Sequence, residues 1–322
     1  TGHNVVAVLP GAGALARQIR WLSEEADRSL LKLGIDLLLP CLIFTVVSDN
    51  PALRQTGNLV LPPLVGFGTM VLGLAVAGGV TRLGGRWTGL EGAAQARTFA
   101  LAVGLYNYGF IPLPLVRRIF DDNTLGVLFV HNVGAGLALW TVGVAVLSGT
   151  RDGRAWRRML NPPSIAVIVA VAFNLLGVTP VLRQYAGSLL TAVEWLGQAA
   201  VPILLILVGA TIAEQFRSGA RDEGRKGAAK MITWSCLLRL GLLPGAFLLV
   251  AALIPASPEL KSVIIVQAAM PSAVFPVLLA RHYNGHPATA LRVVLSTSLL
   301  SLITIPLWVS LGLTLFGLAV AG

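Results

Sequence analysis

The chain alternates long apolar stretches with short polar ones. Nine of these stretches have about the 17 to 25 residues that a helix needs to cross the hydrocarbon of a bilayer. They cover residues 30–48, 58–80, 97–118, 124–148, 162–179, 189–213, 231–254, 262–281 and 291–318. A further apolar stretch, Val5 to Ala16, is short for a span. We therefore predict an all-α polytopic membrane protein with ten transmembrane helices.

The short first stretch has two interpretations. The sequence opens on Thr1 rather than Met, so we expect residues ahead of it that complete a truncated first helix. A cleaved signal peptide is the alternative, although no basic region precedes the apolar residues as in such peptides.

The fourth and the ninth of the ten predicted spans are interrupted in the middle. The interruptions are Asn107 to Pro114 and Gln267 to Pro276. Proline lacks the backbone N–H and clashes with the preceding turn, so we predict that the helices break here. The predicted helix-breaking residues are Pro112, Pro114, Pro271 and Pro276. An unwound backbone is costly in hydrocarbon unless it lines a cavity, and breaks at corresponding positions of two halves indicate a transport site.

These interruptions are part of a wider similarity between the two halves of the chain. We assign residues 1–150 to a first five-helix repeat, 151–161 to a cytoplasmic connector and 162–322 to a second five-helix repeat. Spans two and seven each carry a mid-span proline, Pro40 and Pro202. Because each half has an odd number of spans, the second repeat is inverted. The frequency of proline in membrane helices explains any one of these coincidences, and the set favours a 5+5 inverted repeat.

Composition and charge are typical of a protein embedded in a bilayer. Hydrophobic residues make up 55% and charged residues 12% of the sequence, as in helical membrane proteins. With ten spans, the loops of one side contain eighteen of the 24 Lys and Arg residues, and those of the other side contain five. By the positive-inside rule the first side is cytoplasmic, so both termini lie outside the cell (inner) membrane. We therefore interpret the net charge of +10 as setting the orientation in the membrane and binding anionic membrane lipids, and not as a nucleic-acid-binding surface.

The sequence gives little support to an enzyme. It contains no HExxH motif, no phosphate-binding glycine loop and no Rossmann glycine pattern. Cys41 and Cys236 lie in apolar spans without CxxC spacing and are interpreted as small buried hydrophobes. We therefore expect no catalytic residue, no metal and no cofactor.

The two interruptions offer chemistry suited to an anion. The N-terminus of a half-helix exposes unpaired N–H groups and a partial positive charge, so two facing breaks can hold a carboxylate without a Lys or Arg. The predicted substrate-binding residues are Asn107, Tyr108, Gln267, Pro271 and Ser272. For Asn107 the alternative is a structural role, in which it satisfies the backbone freed by Pro112.

Ionisable side chains within spans are functional candidates, because placing a charge in a membrane is costly. Asp36 in span two is a candidate for proton or ion coupling, and a surface pair with Lys32, one helical turn away, is an equally good interpretation. His131 in span five is a second coupling candidate, although hydrogen-bonded packing is the favoured interpretation. Arg239 in span eight needs a carboxylate or carbonyl partner.

Several short motifs occur together along nearly the whole chain. They are Leu39 to Phe44, Asn107 to Pro114, Asn161 to Pro163, Ala200 to Pro202 and Ala268 to Pro271. With these motifs the sequence resembles the auxin efflux carrier family of bacterial permeases and plant carriers. The resemblance implies a ten-helix inverted repeat in which spans four and nine cross at their breaks. It also implies a transport domain of helices 3–5 and 8–10 that moves against a scaffold of helices 1, 2, 6 and 7, through which the family often forms homodimers.

The resemblance further implies a small carboxylate substrate such as malate or malonate. We predict a secondary transporter of a small organic anion that works by alternating access of the elevator type. A membrane receptor or a passive channel for a small anion, without coupled flux, is the alternative. Neither break contains Asp or Glu, so we favour proton coupling or uniport over sodium coupling.

Overall fold

The computed structural model describes residues 5–149, 160–219 and 227–319. The regular elements of these ranges are helical. In chain order the α-helices are α1 (Val5–Gln18), α2 (Glu24–Leu33), α3 (Leu39–Val47), α4 (Gly57–Leu83), α5 (Gly85–Thr88), α6 (Ala93–Gly104), α7 (Pro112–Ile119), α8 (Asp122–Ala138), α9 (Val144–Ser148), α10 (Pro162–Leu176), α11 (Thr179–Tyr185), α12 (Gly187–Gly219), α13 (Ala228–Cys236), α14 (Leu243–Leu253), α15 (Pro258–Ala269), α16 (Phe275–His282) and α17 (Pro287–Phe316).

Three pairs of these helices are joined without a loop by wide π-helical turns. Gly34–Leu38 joins α2 to α3, Leu139–Gly143 joins α8 to α9, and Leu237–Leu242 joins α13 to α14. Each pair therefore forms one continuous helical rod. Turns of this kind accommodate an extra residue inside a helix and are frequent at functional sites.

Six rods within the described ranges are long and apolar enough to cross a membrane. They are Glu25–Val47, Gly57–Leu83, Asp122–Ser148, Gly187–Leu207, Ala228–Leu253 and Pro287–Phe316. These rods fall on predicted spans two, three, five, seven, eight and ten, and they confirm a multi-pass helical membrane protein. The pair α10 and α11, bent by 95° after Gly177, makes a seventh span when it is counted as one.

The other three predicted spans contain shorter helices. Helix α1 has 14 residues, span four contains α6 and α7, and span nine contains α15 and α16. The total of ten spans stays a prediction. The predicted connector at 151–161 lies almost wholly outside the described residues.

Polar residues at loop ends determine where the helices around the breaks begin. Asp121 Oδ1 accepts a hydrogen bond of 2.9 Å from the Thr124 N–H at the start of α8. Ser257 Oγ accepts one of 3.1 Å from the Leu260 N–H at the start of α15. Each cap satisfies one of the N–H groups that a helix start leaves unpaired.

Close backbone contacts hold α4 against α8 and α6. A Cβ atom on Gly66 would overlap the His131 carbonyl oxygen, and one on Gly134 would overlap the Pro63 carbonyl oxygen. A Cβ on Gly104, the last residue of α6, would lie 2.7 Å from the backbone nitrogen of Leu74 in α4. Small residues permit such close approach of membrane helices, so α4, α6 and α8 form one tightly packed group.

A second group of helices packs around α12. Helix α1 lies against α12, and α3 lies against both α10 and α12. A Cβ on Gly197 of α12 would be 2.8 Å from the backbone of Leu42 in α3. The two groups touch where α3 and α10 meet α8.

Candidate functional site

The two helix breaks lie against each other. Between the end of α6 and the start of α7, and between the end of α15 and the start of α16, the chain is extended where the two segments meet. The Asn107 N–H donates to the Pro271 carbonyl at 2.8 Å, and the Ala273 N–H donates to the Leu105 carbonyl at 2.9 Å. Tyr106 and Ser272 are the residues paired between these two bonds, in antiparallel direction. Each break therefore satisfies backbone groups that the other break has freed from its helix.

The prolines lie at positions where a missing backbone N–H removes no intrahelical hydrogen bond. Pro112 is the first residue of α7, and Pro276 is in the first turn of α16. The N–H groups of a first helical turn have no intrahelical partner, so proline is tolerated there. Pro271 lies in the extended segment, where its carbonyl accepts the Asn107 bond.

Amide side chains hold the first break to two neighbouring helices. Asn132 Nδ2 of α8 donates to the Tyr108 carbonyl at 2.7 Å. Gln267 Nε2 of α15 donates to the same carbonyl at 3.3 Å and to Asn132 Oδ1 at 3.1 Å. Sequence reasoning did not include Asn132 among the site residues, although an amide within an apolar span, next to His131, was the available signal.

Asn107 is buried and has a structural contact. Its Oδ1 accepts a hydrogen bond of 3.4 Å from the Ile111 N–H, immediately before α7. This bond supports the backbone just before Pro112, as the structural interpretation of Asn107 predicts. Its Nδ2 forms no hydrogen bond within the described part of the chain, so the side chain also retains a donor for a ligand.

Two further predicted site residues have buried polar atoms without a hydrogen-bond partner. These atoms are Gln267 Oε1 and Ser272 Oγ. The Ser272 backbone N–H donates to Thr297 Oγ1 of α17 at 3.3 Å, whereas the Ser272 hydroxyl has no hydrogen-bond partner. Buried polar groups in native proteins are nearly always paired, and unpaired ones next to a helix break are available to a bound molecule.

An aromatic and cationic cluster lies beside the breaks. Tyr106 is fully buried, and its hydroxyl shares a hydrogen bond of 3.0 Å with Thr69 Oγ1 of α4. Arg239 is also fully buried, and its Nη2 donates to the Ala268 carbonyl at 3.3 Å. The predicted need of Arg239 for a carboxylate or carbonyl partner is thus met by a carbonyl. Sequence reasoning did not place Arg239 at the site, and its only signal was a lone charge in an apolar span.

The two coupling candidates have different surroundings. His131 is buried, with Nδ1 3.3 Å from Asn132 Oδ1 and its ring tilted against Tyr106. That environment favours hydrogen-bonded packing. Asp36 lies at an exposed position of the wide turn Gly34–Leu38, and no ion pair joins it to Lys32. Within the described ranges no three His, Cys, Asp or Glu side chains lie close enough together to hold a metal ion.

Comparison with known proteins assigns the chain to a family. The sequence profile of a family described as membrane transport protein matches residues 5–155 and 152–309. An uncharacterized transporter of Methanothermobacter thermautotrophicus is 27% identical over 307 residues, covering 94% of this chain and 95% of the relative. An uncharacterized transporter of Methanocaldococcus jannaschii is 22% identical over 313 residues, covering 94% and 96%. The chain therefore belongs to the membrane transport protein family, which confirms the resemblance to auxin efflux carriers.

Proposed function

We propose that this membrane protein is a secondary transporter of a small carboxylate, which binds at the two paired breaks. The observation that supports the proposal most directly is the antiparallel pairing of residues 105–107 with residues 271–273. An unwound backbone inside apolar spans is maintained only where it lines protein or water-filled space. In secondary transporters, discontinuous helices of this kind hold the substrate near the middle of the membrane.

The groups at the breaks suit a carboxylate. Helices α7 and α16 both begin at the breaks, and no side chain of the residue that precedes either helix caps it. The partial positive charge at the N-termini of these helices favours an anion. The N–H groups themselves contribute little in α7, because Pro112 and Pro114 have none and the Leu113 N–H donates to the Gly109 carbonyl at 3.2 Å. Asn107 Nδ2 and the Ser272 hydroxyl add donors.

Alternating access requires one part of the protein to move against another. We propose that the ten spans form a 5+5 inverted repeat whose fourth and ninth helices cross at the breaks. The tightly packed α4, α6 and α8 would move with the breaks as part of an elevator-type transport domain. The group around α12 would be the scaffold, through which two copies associate. In this arrangement both termini lie outside the cell membrane, and transport is proton-coupled or uniport.

The proposal is tested by uptake into proteoliposomes. Labelled acetate, malonate, succinate and malate are offered with and without an imposed pH gradient. We expect saturable uptake of at least one of them by the wild type. Asn107→Ala should lower the uptake rate at least tenfold, because it removes a donor at the break and the support of the Ile111 N–H. Gln184→Ala, at an exposed position of α11, is the matched control and should behave as the wild type.

Two outcomes contradict the proposal. Binding of a carboxylate without flux favours the receptor alternative. Flux that does not saturate, and that is equal in the wild type and Asn107→Ala, favours a passive channel. Dependence of saturable uptake on the pH gradient distinguishes proton coupling from uniport.

A further inference from the structure

Arg239 brings a full positive charge close to the second break. Its side chain is 0% exposed and extends from the wide turn Leu237–Leu242. Its Nη2 contacts the carbonyl of Ala268, in the last turn of α15 and three residues before Pro271. Arginine stays charged in proteins under ordinary conditions, so a cation is fixed three residues from the paired backbone.

The guanidinium uses little of its hydrogen-bonding capacity. Nε and Nη1 are buried and have no hydrogen-bond partner. The rings of Tyr106 and Phe247 lie 5.4 and 5.3 Å from Cζ, and such contacts stabilise a cation without accepting conventional hydrogen bonds from its N–H groups. Among the residues that the structure describes, no carboxylate forms an ion pair with Arg239.

A structural role accounts for the ring contacts and for the bond to Ala268, but not for the remaining donors. The C-terminal turn of a helix carries partial negative charge, so a cation near the Ala268 carbonyl is favourable. That interaction needs a single N–H donor, which Nη2 provides. It leaves the donors of Nε and Nη1 unpaired and the positive charge without an anion, and both conditions are costly inside a protein.

We propose that Arg239 is the counter-charge of the transport site and binds the carboxylate group of the substrate. The inference rests on the proposed function and specifies how the site selects an anion. Arginine binds carboxylates through paired, charge-assisted hydrogen bonds. Nη2 uses one of its two N–H groups for the Ala268 carbonyl, so its second N–H and the unpaired Nε or Nη1 beside it remain as one parallel pair of donors. Gln267 Oε1 and Ser272 Oγ, also buried and unpaired, flank Ala268 in the chain and belong to the same region.

A fixed cation predicts a stronger preference for an acid than the other groups of the site would give. Amide side chains hydrogen-bond a carboxamide as well as a carboxylate and a helix N-terminus carries only partial charge, whereas a guanidinium places a full charge beside the carboxylate. The wild type should therefore bind the acid at least tenfold more tightly than the corresponding amide, about 1.4 kcal/mol at 25 °C.

The experiment measures this preference in the full chain. Unlabelled malonate and malonamide compete for uptake of the labelled carboxylate that the wild type transports. Arg239→Gln keeps a donor for the Ala268 carbonyl but removes the charge, and Arg239→Lys keeps a charge. Arg118→Gln, at an exposed position of α7, is the control for loss of an arginine elsewhere. Monodisperse elution in detergent and a melting temperature near that of the wild type establish that each variant is folded.

We expect Arg239→Gln to lose at least tenfold in affinity for malonate, with its affinity for malonamide unchanged, while Arg239→Lys and Arg118→Gln keep the preference for the acid. A folded Arg239→Gln that retains this preference overturns the inference and leaves the proposed function intact. If Arg239→Gln does not fold, the Arg239→Lys variant tests the inference instead. Arg239→Lys keeps the positive charge, so loss of its preference for malonate over malonamide would also overturn the inference. Failure of the wild type to take up any carboxylate is a failure of the proposed function instead.

Discussion

The two breaks are alike in backbone and different in their surroundings. At the first break, two amide side chains donate to the Tyr108 carbonyl, at 2.7 and 3.3 Å, and Gly104 fixes the end of α6 against the backbone of α4. At the second break, the end of α15 is met by the guanidinium of Arg239 at 3.3 Å. The first break is thus held by neutral hydrogen bonds and close packing, and only its Tyr106 ring faces the guanidinium, whereas the helix end at the second break accepts a hydrogen bond from the charged group.

The comparison shows that the backbone pairing of the breaks and the chemistry around each break come from different parts of the sequence. The similar prolines and extended segments set up the backbone pairing, which needs only that both helices unwind at the same level. The groups that hold or charge each break come from helices packed against it, α8 and α15 for the first and the α13–α14 rod for the second. Similarity between the halves therefore does not require similar chemistry on the two sides of the site.

We expect the largest loss of stability from a substitution at Gly104, where α6 ends against the backbone of α4. Gly104→Ala should lower the free energy of unfolding by about 2 to 3 kcal/mol, because the new Cβ meets the α4 backbone and the core is already filled. Gly109→Ala is the control within the same break, since nothing lies within 4 Å of a Cβ there. SDS-induced unfolding in mixed micelles measures both variants. Equal stabilities would show that contact with α4 does not fix the first break.

A smaller effect is expected from the amides that hold the first break. Asn132→Leu removes the 2.7 Å bond to the Tyr108 carbonyl and leaves Gln267 with one acceptor fewer. We expect about 1 to 2 kcal/mol of lost stability and an uptake rate about tenfold lower, because the break is less well positioned. Asn123→Leu, on the same helix and without a side-chain hydrogen bond within the described ranges, should leave uptake unchanged. Wild-type uptake by Asn132→Leu would mean that backbone pairing alone positions the first break.

The smallest effect is expected at Tyr106, a residue of the first break whose ring also lies beside Arg239. Tyr106→Phe removes a hydroxyl that shares a 3.0 Å bond with Thr69 Oγ1, and Thr69 keeps its 2.8 Å bond to the Val65 carbonyl. We expect about 1 kcal/mol of lost stability and carboxylate affinity within about twofold of the wild type, because the ring beside Arg239 remains. A tenfold loss of affinity, measured by competition for uptake, would show instead that the hydroxyl belongs to the binding site.

Local sequence rules predicted the positions of both breaks and of six rods long and apolar enough to cross a membrane, and the total of ten spans stays a prediction. Pro112 begins α7 and Pro276 lies in the first turn of α16, as the geometry of proline requires, and the long apolar stretches coincide with the six rods. These features depend on neighbouring residues in the chain. The sequence also indicated that Arg239 needed a buried partner, because a lone charge in an apolar span is costly.

The partners of the side chains could not be predicted, because they come from distant parts of the chain. The contact of Arg239 with Ala268 depends on how the α13–α14 rod packs against α15, which hydrophobic periodicity does not specify. Gln267 was expected within the second break, but it lies in the last turn of α15, where its amide reaches the Tyr108 carbonyl of the first break. Asn132 was passed over for the same reason, since its role exists only in the folded arrangement.

The backbone pairing of the two breaks also has a consequence for biogenesis. The Asn107 N–H and the Leu105 carbonyl find their partners at Pro271 and Ala273, far along the chain. During synthesis, the first interrupted helix is therefore exposed before the segment that completes it has left the ribosome. Until then its free backbone groups must be shielded by water, by lipid headgroups or by the insertion machinery, so the assembly of the site is one of the last events in membrane integration.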